Sequence, residues 1–193
     1  MTSGAAPGPL VAAALALLLT SRVRELLLSR TNERALLARG GRRVAGDYFQ
    51  ALAALHAAFF VALPLEAWLA ATRTPAWWPL CLAGWGLGEA LRAASMRALG
   101  DRWTARIVVV PGEPRIRTGI YRLLHHPNYL GAALEPAAVA LLFGAWGTAL
   151  AATAVNAALL TLRARVESRA LEAAEREAPI APSAVAPPAP GVH

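Results

Sequence analysis

The sequence predicts an all-α integral membrane protein with about five transmembrane helices, the last two a tight hairpin, followed by a cytoplasmic C-terminal helix. Three observations carry that prediction. First, 56% of the 193 residues are hydrophobic, and they gather in blocks of roughly bilayer length. Second, the basic residues fall between those blocks: seven arginines lie in 22–43, seven in 92–122 and four in 163–176, leaving Arg73 alone. With five spans and an outside N-terminus, all but Arg73 face one side, which the positive-inside rule makes cytoplasmic. Third, only Gly144 and Ala145 separate the last two blocks, too short a link for anything but antiparallel neighbours.

The first block runs from about Pro9 to Leu28 and is interrupted by Arg22, Arg24 and Glu25, whose end emerges at the interface. No basic residue precedes its apolar run, so it reads as a first membrane helix rather than a cleaved signal peptide. A polar segment, "SRTNERALLARGGRRVAGD", keeps helical spacing until Gly40-Gly41 stops it. The second block, Tyr48 to Ala71, carries His56, Pro64 and Glu66; the two ionisable groups lie too far apart along a helix to form one site. The third, Ala76 to about Ala90, opens on Trp77 and Trp78 as an aromatic belt and ends in Glu89 and Arg92, spaced to pair on one face.

Arg97 to Pro127 is more soluble in character. It holds the strand-like run "ARIVVVPGEPRI", a small hairpin or an ordered loop by its prolines and glycine. Tyr129 to Phe143 and Trp146 to Leu162 form the hairpin, and "RARVESRALEAAERE" continues it as an amphipathic helix. We expect residues 1–177 to form a single membrane-embedded domain and 178–193, rich in proline and alanine, to be a disordered tail.

The net charge of +7, carried wholly by arginine, suits an anionic membrane face. It argues against a nucleic-acid partner, because the arginines alternate with apolar blocks instead of lining one soluble face. Cys81 is the lone cysteine, which excludes an internal disulfide and reads as a small core residue.

The candidate chemistry sits in "GIYRLLHHPNYLG", residues 119–131. Pro127 pushes its predecessor out of helical geometry and then suits the first turn of a helix. Tyr121, His125, His126, Asn128 and Tyr129 therefore cluster at a corner beside a helix N-terminus, which offers unpaired N–H groups to an anion. An interfacial cap that merely anchors the hairpin is the competing reading. A metal site is disfavoured, because no carboxylate stands at helical ligand spacing. Glu135 lies two turns beyond Asn128 in an apolar span, where an ionisable group is a functional candidate or a paired structural carboxyl. The hairpin returns Arg163, Arg165 and Glu167 to the level of His126, and Asn156 could hydrogen-bond between helices.

"GIYRLLHHPNYLGAALE", followed by "RARVES", resembles the isoprenylcysteine carboxyl methyltransferase family of integral membrane enzymes. Their signature is a tyrosine, then Arg-His-Pro-x-Tyr-x-Gly, a glutamate in the next helix and a later Arg-x-x-x-Glu-Glu. The upstream "SRTNERALLARGG", "LHAAFFVALPLEAW" and "RWTARIVVVPGEPRIRTG" look like a bacterial branch associated with type III polyketide synthases, similar to alkylpyrone O-methyltransferases. The resemblance spans roughly residues 20 to 172. It implies S-adenosyl-L-methionine as cofactor, no metal, and a lipophilic acceptor drawn from the bilayer of the bacterial inner membrane, with the active site facing the cytoplasm. It makes Tyr121, His125, His126, Asn128, Tyr129 and Gly131 the cofactor-binding residues, and Glu135, Arg163 and Glu167 the catalytic ones. His125 stands where the family has arginine, and Ser168 where it has a second glutamate. A titratable ring in place of a permanent fork favours an enol or phenol of a polyketide lipid over a carboxylate. Phospholipid N-methylation, a non-catalytic membrane scaffold and, more remotely, a reductase on a related architecture are the alternatives.

Overall fold

A computed structural model describes residues 8–177. The tail from 178 onward, expected to be disordered, lies outside the described residues. Five α-helices dominate: α1 (Gly8–Ala38), α2 (Phe49–Leu69), α3 (Trp78–Leu99), α4 (Pro127–Leu142) and α5 (Trp146–Arg176). The first apolar block and the polar segment after it are one continuous helix, α1, and the fifth block runs without a break into its amphipathic extension as α5. By length and composition, α2 and α5 are each apolar enough to cross a membrane.

The core lies where the helices meet. Val11 and Leu18 of α1, Phe59 and Leu63 of α2, Cys81 of α3, Val139 and Leu142 of α4, and Ala149 and Ala152 of α5 are buried together. Leucines on the outside of α1, Trp68 and Leu69 of α2 and Leu80 of α3 stay exposed, the inverse of a soluble surface. α3 and α4 pack most closely, because Gly88 and Gly131 let the backbones approach: a Cβ at Gly131 would meet the Gly88 carbonyl oxygen at 2.6 Å.

The hairpin turn has a specific chemical cause. The Gly144 N–H bonds to Leu141 and the Ala145 N–H to Ala140, closing α4 with Gly144 in the left-handed region at φ 68°. On the other side of the turn, Glu66 of α2 accepts hydrogen bonds from Gly147 N (2.9 Å), Thr148 N (2.6 Å) and the Thr148 hydroxyl (2.6 Å). A carboxylate on the first N–H groups of α5 satisfies donors that the helix cannot and complements its dipole.

Of the two readings of the strand-like run, hairpin or ordered loop, the structure has the loop, with a two-residue strand in it. Val108–Val109 (β2) does not fold back on itself as a hairpin; it pairs antiparallel with Arg42–Arg43 (β1), in register Arg42 to Val109 and Arg43 to Val108. The partner is the short segment released where Gly40-Gly41 ends α1. Beneath the pair, Ile107, Val109 and Ala174 form a second small core with Val166 and Leu171, fastening the run to the end of α5.

Candidate functional site

His126 is the residue before α4, with φ −133° and ψ 60°, and Pro127 opens the helix. The proline ring forces that corner, as its chemistry requires. The corner and the end of α5, with the segment 102–117 between them, enclose a cavity of about 570 Å³. Tyr121, His125, His126, Asn128 and Tyr129 line it from one side, Glu167 and Ser168 from α5, and Trp103, Arg106, Arg115 and Arg117 from the connecting segment.

Within this wall the aromatic rings of His126 and Tyr129 stack, with centroids 5.3 Å apart and planes 7° from parallel. His126 Nδ1 lies 3.3 Å from Glu167 Oε2. Its Nε2 lies 3.4 Å from the Ser168 hydroxyl. Burial, then the nearby Glu167 carboxylate, pushes the Tyr121 phenol up to about 12, so it stays a neutral hydroxyl through the physiological range. Asn128 Oδ1 and Trp103 Nε1 are buried and meet no hydrogen-bond partner among the described residues. Both residues line the cavity, and buried polar atoms without a partner are where a ligand or an ordered water is expected.

Arg163 does not line the cavity. It is buried to 4% exposure and spends its guanidinium on three acceptors: the Tyr129 hydroxyl (2.9 Å), the Asp47 carbonyl (2.5 Å) and the Ala105 carbonyl (2.6 Å). A planar fork of five donors can hold three elements at fixed angles, which an ammonium cannot. Arg163 therefore sets the position of the cavity wall without touching its contents.

Glu135 and Gly131 also lie away from the cavity lining. Glu135, 3% exposed, belongs to a buried ion cluster: Arg22 lies 3.0 Å from its Oε2 and Arg92 3.3 Å from its Oε1. Arg92 also bonds Glu25, and Arg22 lies 2.9 Å from Glu25 and 3.6 Å from Glu89. The expected Glu89–Arg92 pair is not formed among the described residues, because Arg92 turns inward to two carboxylates while Glu89 faces α1. Gly131 packs against Gly88 and Arg92. Asn156 donates to the Ala132 carbonyl at 2.8 Å, the interhelical bond its mid-span position suggested.

Several supports escaped the sequence reading. Asn32 donates to the Trp103 carbonyl at 2.8 Å, and Ser29 accepts from Ala105 N at 2.8 Å, so α1 holds the floor of the cavity. Arg115 bonds the Ser168 carbonyl and lies 3.2 Å from Glu172, tying the segment over the cavity to α5. The signal for the two on α1 was present but generic: polar side chains at helical spacing in "SRTNERALLARGG", with no cue to a partner so distant in sequence.

The comparisons with known proteins span this geometry. The family model described as the isoprenylcysteine carboxyl methyltransferase (ICMT) family matches residues 81–173, which hold most of α3, the cavity segment, the His126 corner and most of α5. The uncharacterized protein YpbQ of Bacillus subtilis (strain 168) is 31% identical over 159 residues, covering 82% of this chain and 94% of that protein. No solved structure matches. The chain belongs to the isoprenylcysteine carboxyl methyltransferase family, a family of membrane methyltransferases.

Proposed function

We propose that this protein is an S-adenosyl-L-methionine-dependent O-methyltransferase acting on a lipophilic acceptor, the enol or phenol of a polyketide lipid. The observation that carries the reading is the cavity behind the His126 corner, where His126, Tyr129, Asn128 and Glu167 converge beside a buried oxygen that lacks a partner.

The residues fit the cofactor. The volume lies in the range that encloses molecules of that size. Asn128 and Trp103 on the lining each carry a polar atom without a partner, which a turn of the side chain brings to a ligand, and five arginines against two glutamates on the lining favour a ligand that carries a carboxylate. When bound, S-adenosylmethionine supplies a methyl group activated on a sulfonium. The protein's own part is to bind, align and keep water out, since effective alignment supplies several kcal/mol of a transfer barrier (roughly 7–11 in favourable cases). Tyr121, His125, His126, Asn128 and Tyr129 make the cofactor wall, Glu167 closes it from α5, and Arg163 fixes Tyr129.

The same reading takes five spans in the bacterial inner membrane, a single domain, and a cavity open to the cytoplasm, supported by the arginine excess on the cavity side and the exposed leucines along the helices. The test is transfer of labelled methyl from S-adenosylmethionine into a lipid extract. His126→Ala and Tyr129→Ala should abolish transfer in protein that keeps its thermal midpoint. Full transfer by both variants would remove the site assignment, and product labelled on phospholipid nitrogen would remove the O-methyl reading.

A further inference from the structure

Glu167, His126 and Ser168 make an arrangement that holding a cofactor does not explain. The carboxylate of Glu167 only accepts, so at 3.3 Å it fixes a proton on His126 Nδ1. Nε2 then carries the lone pair, and the Ser168 hydroxyl 3.4 Å away directs its own proton there. The Ser168 oxygen is left with lone pairs beside a cavity that it lines. Stacking on Tyr129 holds the ring, and Arg115 on the Ser168 carbonyl holds that turn of α5. Both separations are at the long end for hydrogen bonds, as acid–base pairs commonly are before a ligand closes them. Acyl transfer from Ser168 is a poor fit: it lies in the interior of α5, where the backbone N–H groups are used by the helix and none is free to receive an oxyanion.

We infer that Ser168 and His126, backed by Glu167, form a proton relay that ionises a weakly acidic hydroxyl acceptor. The inference rests on the O-methyl reading above and narrows its acceptor class, because a carboxylate arrives already ionised at neutral pH and needs no relay. The acceptor O–H gives its proton to Ser168 Oγ as the serine proton passes to His126 Nε2, leaving an imidazolium paired with Glu167. The acceptor oxygen forms its bond to the methyl carbon while the carbon–sulfur bond of the sulfonium breaks, its electron pair staying on sulfur. The imidazolium then returns its extra proton to water.

The test compares two acceptors with the same alkyl chain in the full-length protein: an alkylphenol, protonated at neutral pH, and its dinitro-substituted analogue, ionised there. Ser168→Ala should slow the alkylphenol about 100-fold and the dinitro analogue by less than about tenfold, and Ser168→Thr should recover most of the difference. Calorimetry with S-adenosylmethionine alone should give Ser168→Ala the cofactor affinity of the parent. Equal loss on both acceptors, or none on the alkylphenol, overturns the relay. A parent protein that binds cofactor yet methylates neither compound, in lipid or detergent, overturns the hydroxyl-acceptor reading and the relay with it.

Discussion

Two charged clusters share α4 and differ in how they are completed. Near the start of the helix, His126, Asn128 and Tyr129 face a cavity, and Asn128 Oδ1 has no partner there among the described residues. Two turns deeper, Glu135 sits between Arg22 and Arg92, and those arginines reach Glu25 and Glu89 in turn. The deep cluster pairs its charges inside the bundle, and there Arg22 Nε and Glu135 Oε1 meet no hydrogen-bond partner among the described residues. Charged groups in an apolar helix bundle cost free energy unless they are paired, so opposite charges packed between helices fit architecture. The upper cluster instead lines a cavity with room for a ligand. In the sequence Glu135 reads as a functional candidate or a paired structural carboxyl, and its place between Arg22 and Arg92 is the paired arrangement.

Breaking the deep cluster should have the largest effect on stability. Arg92→Leu removes a partner from Glu25 and Glu135 at once, and stranding a buried charge costs about 3–5 kcal/mol. The thermal midpoint in detergent should fall steeply, with cofactor affinity unchanged in whatever fraction remains folded. A folded variant that has lost cofactor binding would mean that the deep cluster belongs to the site after all.

Arg163 tests the join between the two kinds of region, since it is buried like the first and touches the wall of the second. Arg163→Leu leaves the Asp47 and Ala105 carbonyls without their donor, a loss of about 2–3 kcal/mol. Unlike Arg92→Leu, it should also weaken S-adenosylmethionine binding by roughly tenfold, about 1.4 kcal/mol, because Tyr129 loses its anchor. Arg163→Lys should recover little of either, lacking the fork that spans three acceptors. Intact affinity in Arg163→Leu would show that Tyr129 is positioned by its stacking on His126 instead.

The upper cluster should respond in the opposite sense. Asn128→Leu removes a buried oxygen that has no partner, so the thermal midpoint should hold or rise, by up to about 1 kcal/mol of stability. Calorimetry should show the cofactor bound about tenfold more weakly. A destabilised variant with full affinity would assign Asn128 to packing.

The legible part of this molecule was the part written in local chemistry. Block lengths, the Gly144 turn, the Pro127 corner and the return of Arg163 and Glu167 to its level all follow from residue type and spacing, and the structure brings Glu167 beside His126 and Arg163 beside Tyr129. What the sequence hid depends on contacts between distant segments. Glu135 reads the same whether it faces a cavity or two arginines, and helical spacing cannot say which of Glu25, Glu89 and Glu135 Arg92 will choose. The partner of Val108–Val109 was hidden for a similar reason: two arginines after a glycine pair carry no strand propensity, and pairing there follows from the Ile107–Leu171 core beneath it.

The smallest effect belongs to the exposed pair that links β1 to the end of α5. Arg42 donates to Glu177 through both terminal nitrogens, and those hydrogen bonds hold the Glu177 carboxyl below its ordinary value while raising the guanidinium. A carboxyl depressed in the folded state contributes stability that is present above its unfolded value and is lost as pH falls through the folded one. The contribution should therefore vanish on acidification through the carboxylate range and be absent at high salt. Both groups are open to water, where such pairs are screened and their side chains lose entropy on meeting. Arg42→Ala should leave the thermal midpoint at neutral pH where it was, and its melting curves at acidic and neutral pH should differ from the parent's by no more than their scatter. A drop as large as that of Arg163→Leu would mean that the β1–β2 pair depends on this exposed contact, and that the cavity's outer wall is fastened from the surface instead of from Arg163.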